Sequence, residues 1–208
     1  MTNTLHSEKY KSLRTTIFLV IAAIILNSVF SFANAILHIP LFLDTIFTVA
    51  ITFYCGLIPG IIVAIFFNPL MTLVWCIINN TDFYIYDCLY AICGILIVVV
   101  TWALSRNKNE FYFNRTVTIL YLLIISFTSA FASCVLATIL DTFIRPFFER
   151  TLGLSMIDNL SVSFQKLKFS VFLSYLLPRI PITVLDRIIC TFSGFGIYRL
   201  LVREKKTC

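Results

Sequence analysis

Apolar positions along this chain fall in blocks too long for soluble helices and too unbroken for half-buried strands. The longest block, residues 41–76, carries one acid (Asp44) and no base. A bilayer core takes about 20 helical residues, so a run of this length reads as two crossings joined by a tight turn near Cys55-Gly56. Asp44, Thr48 and Thr52 recur at steps of four on the first of these helices. Gly56, Gly60, Ala64, Asn68, Thr72 and Cys76 do so on the second. Gly56-x-x-x-Gly60, with Ala64 a further turn on, is a helix-packing seam: small residues let backbones approach where lipid supplies no hydrophobic drive between helices. This hairpin is expected at the centre of a bundle.

The same pattern over the whole chain predicts spans at about 16–36, 41–54, 57–78, 84–104, 116–140 and 182–202. The last is set off from residue 169 onward by Pro178 and Pro181, so a kinked helix or a short approach segment precedes it. Residues 1–14 form a polar lead, and 141–168 is the longest non-spanning stretch. Phe143, Phe147, Phe148 and Leu152 recur there at helical spacing, as in a surface-lying helix. The fold class expected is all-α: a polytopic membrane protein, a six-transmembrane-helix bundle in a single integral membrane domain over 1–208, with both termini cytoplasmic.

Composition and charge sharpen this picture. With 208 residues, 60% hydrophobic and 12% charged, the chain lies outside soluble composition and leaves no room for an attached soluble output domain. The net charge of +6 does not imply a nucleic-acid partner, because the bases sit in short clusters between apolar spans. Lys9, Lys11, Arg14, Arg106, Lys108, Arg115, Arg199, Arg203, Lys205 and Lys206 fall on one side of a six-span threading. Arg145, Arg150, Lys166 and Lys168 fall on the other. The positive-inside rule therefore puts both ends in the cytoplasm and residues 141–168 outside, in the cell membrane. Ala33-Asn34-Ala35 fits a signal-peptidase site, but the apolar run exceeds a signal core, so the first span is expected to stay. Seven cysteines without a C-x-x-C pair read as packing residues rather than metal or redox ligands.

Threaded this way, Asp44, Asp87, Asp141, Arg179, Asp186 and Arg187 gather at similar depth towards the outer side. Ionisable groups at that depth pair with one another or line a cavity. The candidate substrate-binding residues are these six together with Thr48, Asn68 and Tyr90, closed over by 141–168. Each also has a structural reading. Asp44 and Asp87 suit helix N-termini, and Asp186 and Arg187 suit pairing with Arg179 and Asp141. Tyr84, Tyr86 and Tyr90 suit an interfacial belt or a stacking wall, and Asn68 suits an interhelical bond. His38 stands at the outer end of the first span, where it joins the pocket or is solvated at the interface. No Walker loop, H-E-x-x-H or G-x-S-x-G is present, so no catalytic residues, metal or cofactor are expected, and the chain does not read as an enzyme.

Leu43-Asp44-Thr45-Ile46, then Gly56-x-x-Pro59-Gly60-x-x-x-Ala64-x-x-x-Asn68, resembles the second and third helices of the S components of energy-coupling-factor (ECF) transporters. Leu185-Asp186-Arg187-Ile188, running to Tyr198-Arg199-Leu200-Leu201, resembles their last helix. The resemblance implies a six-helix membrane subunit that captures a vitamin or similar micronutrient from outside. Such a subunit works with a separate transmembrane coupling protein and ATPase subunits. It also implies that Asp44, Asn68 and Asp186 occupy family-typical positions. The Ala-x-x-x-Ala surface by which such components dock is not matched; Ser31-x-x-x-Ala35 is the nearest substitute among Ala22, Ala23, Ala33 and Ala35. The alternative is a non-transport sensor or scaffold of the same fold, with a lipid or a partner in place of a solute.

Overall fold

The computed structural model describes residues 2–37, 39, 41–80, 82–148 and 156–207. His38, Arg150 and Leu152 lie outside the described residues, as do the side chains of Lys9, Lys11, Lys108, Lys205 and Lys206. The helices are α1 (Thr2–Ile36), α2 (Ile46–Cys55), α3 (Leu57–Asn79), α4 (Ile85–Cys88), α5 (Ala91–Ser105), α6 (Lys108–Phe111), α7 (Arg115–Ile139), α8 (Met156–Lys166) and α9 (Val171–Thr207). A π-helical turn (Leu140–Ile144) and a 3-10 turn (Arg145–Phe148) continue α7. Among the described residues there is no strand. The protein is all-helical, with five stretches long and apolar enough to cross a bilayer: Leu13–Ile36, Leu57–Ile78, Ile85–Ser105, Arg115–Phe148 and Val171–Arg203.

Three boundaries differ from those the sequence predicts. The span expected over 41–54 is helical only from Ile46 to Cys55, because the backbone groups of Leu41, Phe42 and Leu43 bond to side chains of α1 and α9 instead of to one another. The helix expected to stop at 140 runs on through its π and 3-10 turns to Phe148, so Asp141 lies inside a helix rather than opening a loop. Pro178 and Pro181 interrupt nothing: both lie within α9. Each removes one helical hydrogen bond beyond the first turn of α9, a loss that neighbouring helices make tolerable at membrane depth.

Helix α2 occupies the middle of the bundle, packed against α1, α3, α5 and α9. Ile46, Thr48, Val49, Ala50, Ile51 and Thr52 are all buried, so it shows almost no face to lipid. Helix α3 is its neighbour on the periphery, with Phe66 and Ile77 exposed. Between them Gly56 turns the chain at φ 93°, a conformation that favours glycine. Gly60 lies against α2, where an added Cβ would fall 2.3 Å from the Thr52 hydroxyl oxygen. On the other flank of α2, a Cβ on Gly194 would lie 2.7 Å from the Ile46 carbonyl oxygen and 3.0 Å from Val49 Cβ. A backbone oxygen cannot swing aside. Gly194→Ala is therefore expected to destabilise the protein by about 1–3 kcal/mol, as overpacking does. Gly196→Ala, with nothing within 4 Å, should be near neutral. Equal unfolding temperatures for the two variants would show that α9 does not press on α2.

The two ends of the bundle are unlike. At the end formed by the C-termini of α2 and α5, Phe111 is almost fully buried. It packs between Phe53 (5.9 Å between ring centroids) and Phe195 (5.6 Å), with Tyr198 beside them. Arg106 and Arg115 belong to this plugged end by their places at the C-terminus of α5 and the N-terminus of α7. The other end is open and polar.

Candidate ligand-binding site

The open end is built around the backbone of residues 41–48. A chain that enters the bundle without being helical leaves N–H and C=O groups that need partners. Two neighbouring helices provide them. From α9, the buried Asp186 carboxylate accepts from the backbone N–H groups of Phe42 and Leu43 through one oxygen, at 2.9 and 2.8 Å. Leu43 adopts φ 48°, the left-handed turn by which successive N–H groups converge on one anion. From α1, Asn34 Nδ2 donates to the carbonyls of Ile39 and Leu41. The fully buried Asn27 accepts from Phe47 N–H at 3.1 Å and donates to Thr48 Oγ1 at 2.8 Å. Thr45 makes no side-chain cap at the start of α2; Asn27, from a different helix, takes that role.

Two charge clusters stand on this frame. Arg187 pairs with Asp186, reaches Asp44 Oδ1 at 3.2 Å and donates to Thr45 Oγ1 at 2.5 Å. Asp141 is the second hub. It pairs with Arg179, accepts from Tyr86 OH at 2.7 Å and Tyr90 OH at 2.6 Å, and lies 3.6 Å from Arg145. Arg145 in turn donates to Asp158 at 2.7 Å, tying the 3-10 turn to α8. The Arg179 guanidinium also sits 5.9 Å from the centroid of the Tyr90 ring. The π turn explains how Asp141 and Arg145 both face inward: an extra residue in the turn re-aims side chains without ending the helix.

Between the clusters lies a cavity of about 540 Å³, within the usual range for small-molecule sites. Of the nine residues picked out from sequence, Asp44, Thr48, Asn68, Asp87, Tyr90, Asp141, Arg179 and Arg187 line it. Asp186 does not: it stands behind Arg187, holding the segment that leads into α2. The cavity reaches the exposed Phe42 and Asp82 at the bundle end, and Ile157 and Asp158 of α8 form part of its wall. Helix α1 lines none of it. Ala64, on the small-residue seam, lies in the wall, and the neighbouring Gly94 approaches so closely that an added Cβ would sit 3.1 Å from Ala64 Cβ.

Several residues that shape the site went unread in the sequence. Asn27 and Asn34 carried a usable signal: two amides seven residues apart, hence on one helix face, inside an apolar span. Arg145 and Asp158 belong to the stretch expected to lie outside the spans, and the continuation of α7 makes them a buried pair. Tyr86 is almost fully buried with its hydroxyl on Asp141, and is no interfacial ring. Among the described residues no group of His, Cys, Asp and Glu is arranged to hold a metal ion. In comparison with known proteins, the chain matches no family model, no curated protein and no solved structure.

Proposed function

We propose that this chain is a substrate-capture subunit of a micronutrient uptake system in the cell membrane. In this reading it takes a small, vitamin-like polar ligand from the outer side into the cavity. A separate transmembrane coupling protein with ATPase subunits supplies the energy. The observation that carries the reading is a cavity of about 540 Å³ into whose wall α2, α3, α4, α7 with its π and 3-10 turns, and α9 bring polar side chains, at one end of a bundle whose other end is plugged. Buried polar groups at membrane depth mark solute pathways and binding sites. A wall assembled from many helices lets closure around a ligand be felt by the whole bundle.

Six crossings with both termini cytoplasmic suit this reading. Helix α2 spans only ~15 Å at 1.5 Å per residue, and residues 41–45, turned at Leu43, lengthen that crossing as a non-helical approach. The basic helix ends lie at the plugged end, which the positive-inside rule assigns to the cytoplasm, so the cavity faces out. The α8 helix, pinned by Arg145–Asp158, is then the cover over the mouth.

A sensor or scaffold of the same fold is favoured by one observation: Arg145, Arg179 and Arg187 are each already paired with carboxylates. Native mass spectrometry of gently purified protein separates the two. Capture predicts a small-molecule adduct, or, if the ligand is lost, a rise in unfolding temperature with one member of a vitamin panel. An empty spectrum with no shift across the panel rejects capture and leaves the sensor or scaffold.

A further inference from the structure

Resting on the capture reading, we infer that the cavity takes an organic cation: a positively charged nitrogen carried on a flat or apolar body. The first ground is where the charge lies. Asp44, Asp82, Asp87, Asp141 and Asp158 line the cavity against Arg145, Arg179 and Arg187. Half of the ten acids of a chain whose net charge is +6 thus stand around one cavity. That excess runs against the charge of the molecule as a whole, and it falls on a site where apolar walls weaken screening.

The second ground is which charges a ligand can reach. The three guanidiniums are buried, with side chains 9%, 9% and 5% exposed for Arg145, Arg179 and Arg187. All three are engaged with carboxylates. Asp44 keeps a side chain 24% exposed despite its contact with Arg187; Asp87 is half-buried and Asp82 exposed. An incoming anion therefore meets carboxylates first and finds the guanidiniums paired, with the Nε groups of Arg179 and Arg187 left over but buried, whereas a cation meets carboxylates directly.

The third ground is the rest of the wall. Trp75, Tyr84 and Tyr90 line the cavity half-buried, and the Tyr90 ring already lies against a cation, the Arg179 guanidinium. Aromatic faces attract a cation through the ring quadrupole, most strongly where water is scarce. With Phe67 and Met71 deeper in, they also suit an apolar body. A bare metal ion fits poorly, because the acids are dispersed among rings rather than convergent, and no metal-holding group occurs among the described residues.

The test uses three ligands that share a phenyl body and differ in charge: benzyltrimethylammonium, benzyl alcohol and benzoate. Trp75 reports occupancy by its fluorescence, with Trp102, the other of the two tryptophans, replaced by phenylalanine in otherwise intact protein in lipid nanodiscs. Benzyltrimethylammonium should saturate at a concentration at least about tenfold below either of the others. Asp87→Asn should raise that concentration about tenfold, and Asp82→Asn, at the mouth, a few-fold. Benzoate or benzyl alcohol saturating as readily, no saturation by the cation, or affinity unmoved by both substitutions overturns the inference. The native-mass result then tells what falls with it. A retained adduct keeps capture and removes only the charge class; an empty spectrum removes both.

Discussion

Asp186→Ala is expected to lower the unfolding temperature of the purified protein by on the order of 10 °C, the largest loss from any single truncation near the site. The substitution deprives the Phe42 and Leu43 N–H groups of their acceptor and leaves Arg187, itself buried, without its nearest counterion. Breaking a buried pair by removing one partner costs about 3–5 kcal/mol, and a protein of this size loses about 2–4 °C per kcal/mol. Asp186→Asn, which keeps an acceptor oxygen but no charge, should fall between the parent and the alanine variant. Differential scanning fluorimetry in mild detergent measures all three. An alanine variant melting within about 2 °C of the parent would mean that residues 41–45 do not depend on α9 for their shape.

That prediction also marks how far the sequence could be read. Apolar block lengths reveal a helical membrane bundle because a bilayer allows few alternatives, and the step-of-four seam through Gly56, Gly60 and Ala64 points to close packing beside α2. Asp186 was legible as a polar residue in an apolar helix. Its task was not, since accepting two N–H bonds from Phe42 and Leu43 depends on the non-helical approach to α2. A block that is apolar throughout looks the same whether it is helical from residue 41 or only from Ile46. The extent of α7 was hidden for a related reason. Asp141 and Arg145 are charges, which end an apolar span and open a non-spanning segment in the sequence, yet each has a buried partner that makes a place in the continued helix tolerable. Periodicity reports the faces of helices. It does not report which buried charges have found one another.

The pairing at Asp141 yields the second large effect and separates folding from function. Asp141→Leu strands the buried Arg179 guanidinium and removes the acceptor for Tyr86 and Tyr90 hydroxyls, so a loss of about 3–5 kcal/mol is expected. Arg179→Met is milder, about 1–3 kcal/mol, because Asp141 keeps both phenol donors and the nearby Arg145. In the double variant neither charge is left alone, and replacing a buried pair with apolar residues is often neutral. Its loss should therefore fall well below the sum of the single losses, and above that of Arg179→Met only by what the Tyr86 and Tyr90 hydroxyls lose with their acceptor. Equilibrium unfolding of the four proteins reads the cycle; additive single effects would show that the two residues do not act as a pair. Both residues also line the cavity. If the double variant regains stability but no longer retains the adduct seen by native mass spectrometry, the pair is kept for the ligand. An apolar core can supply stability, whereas fixed charges around a cavity select what enters it.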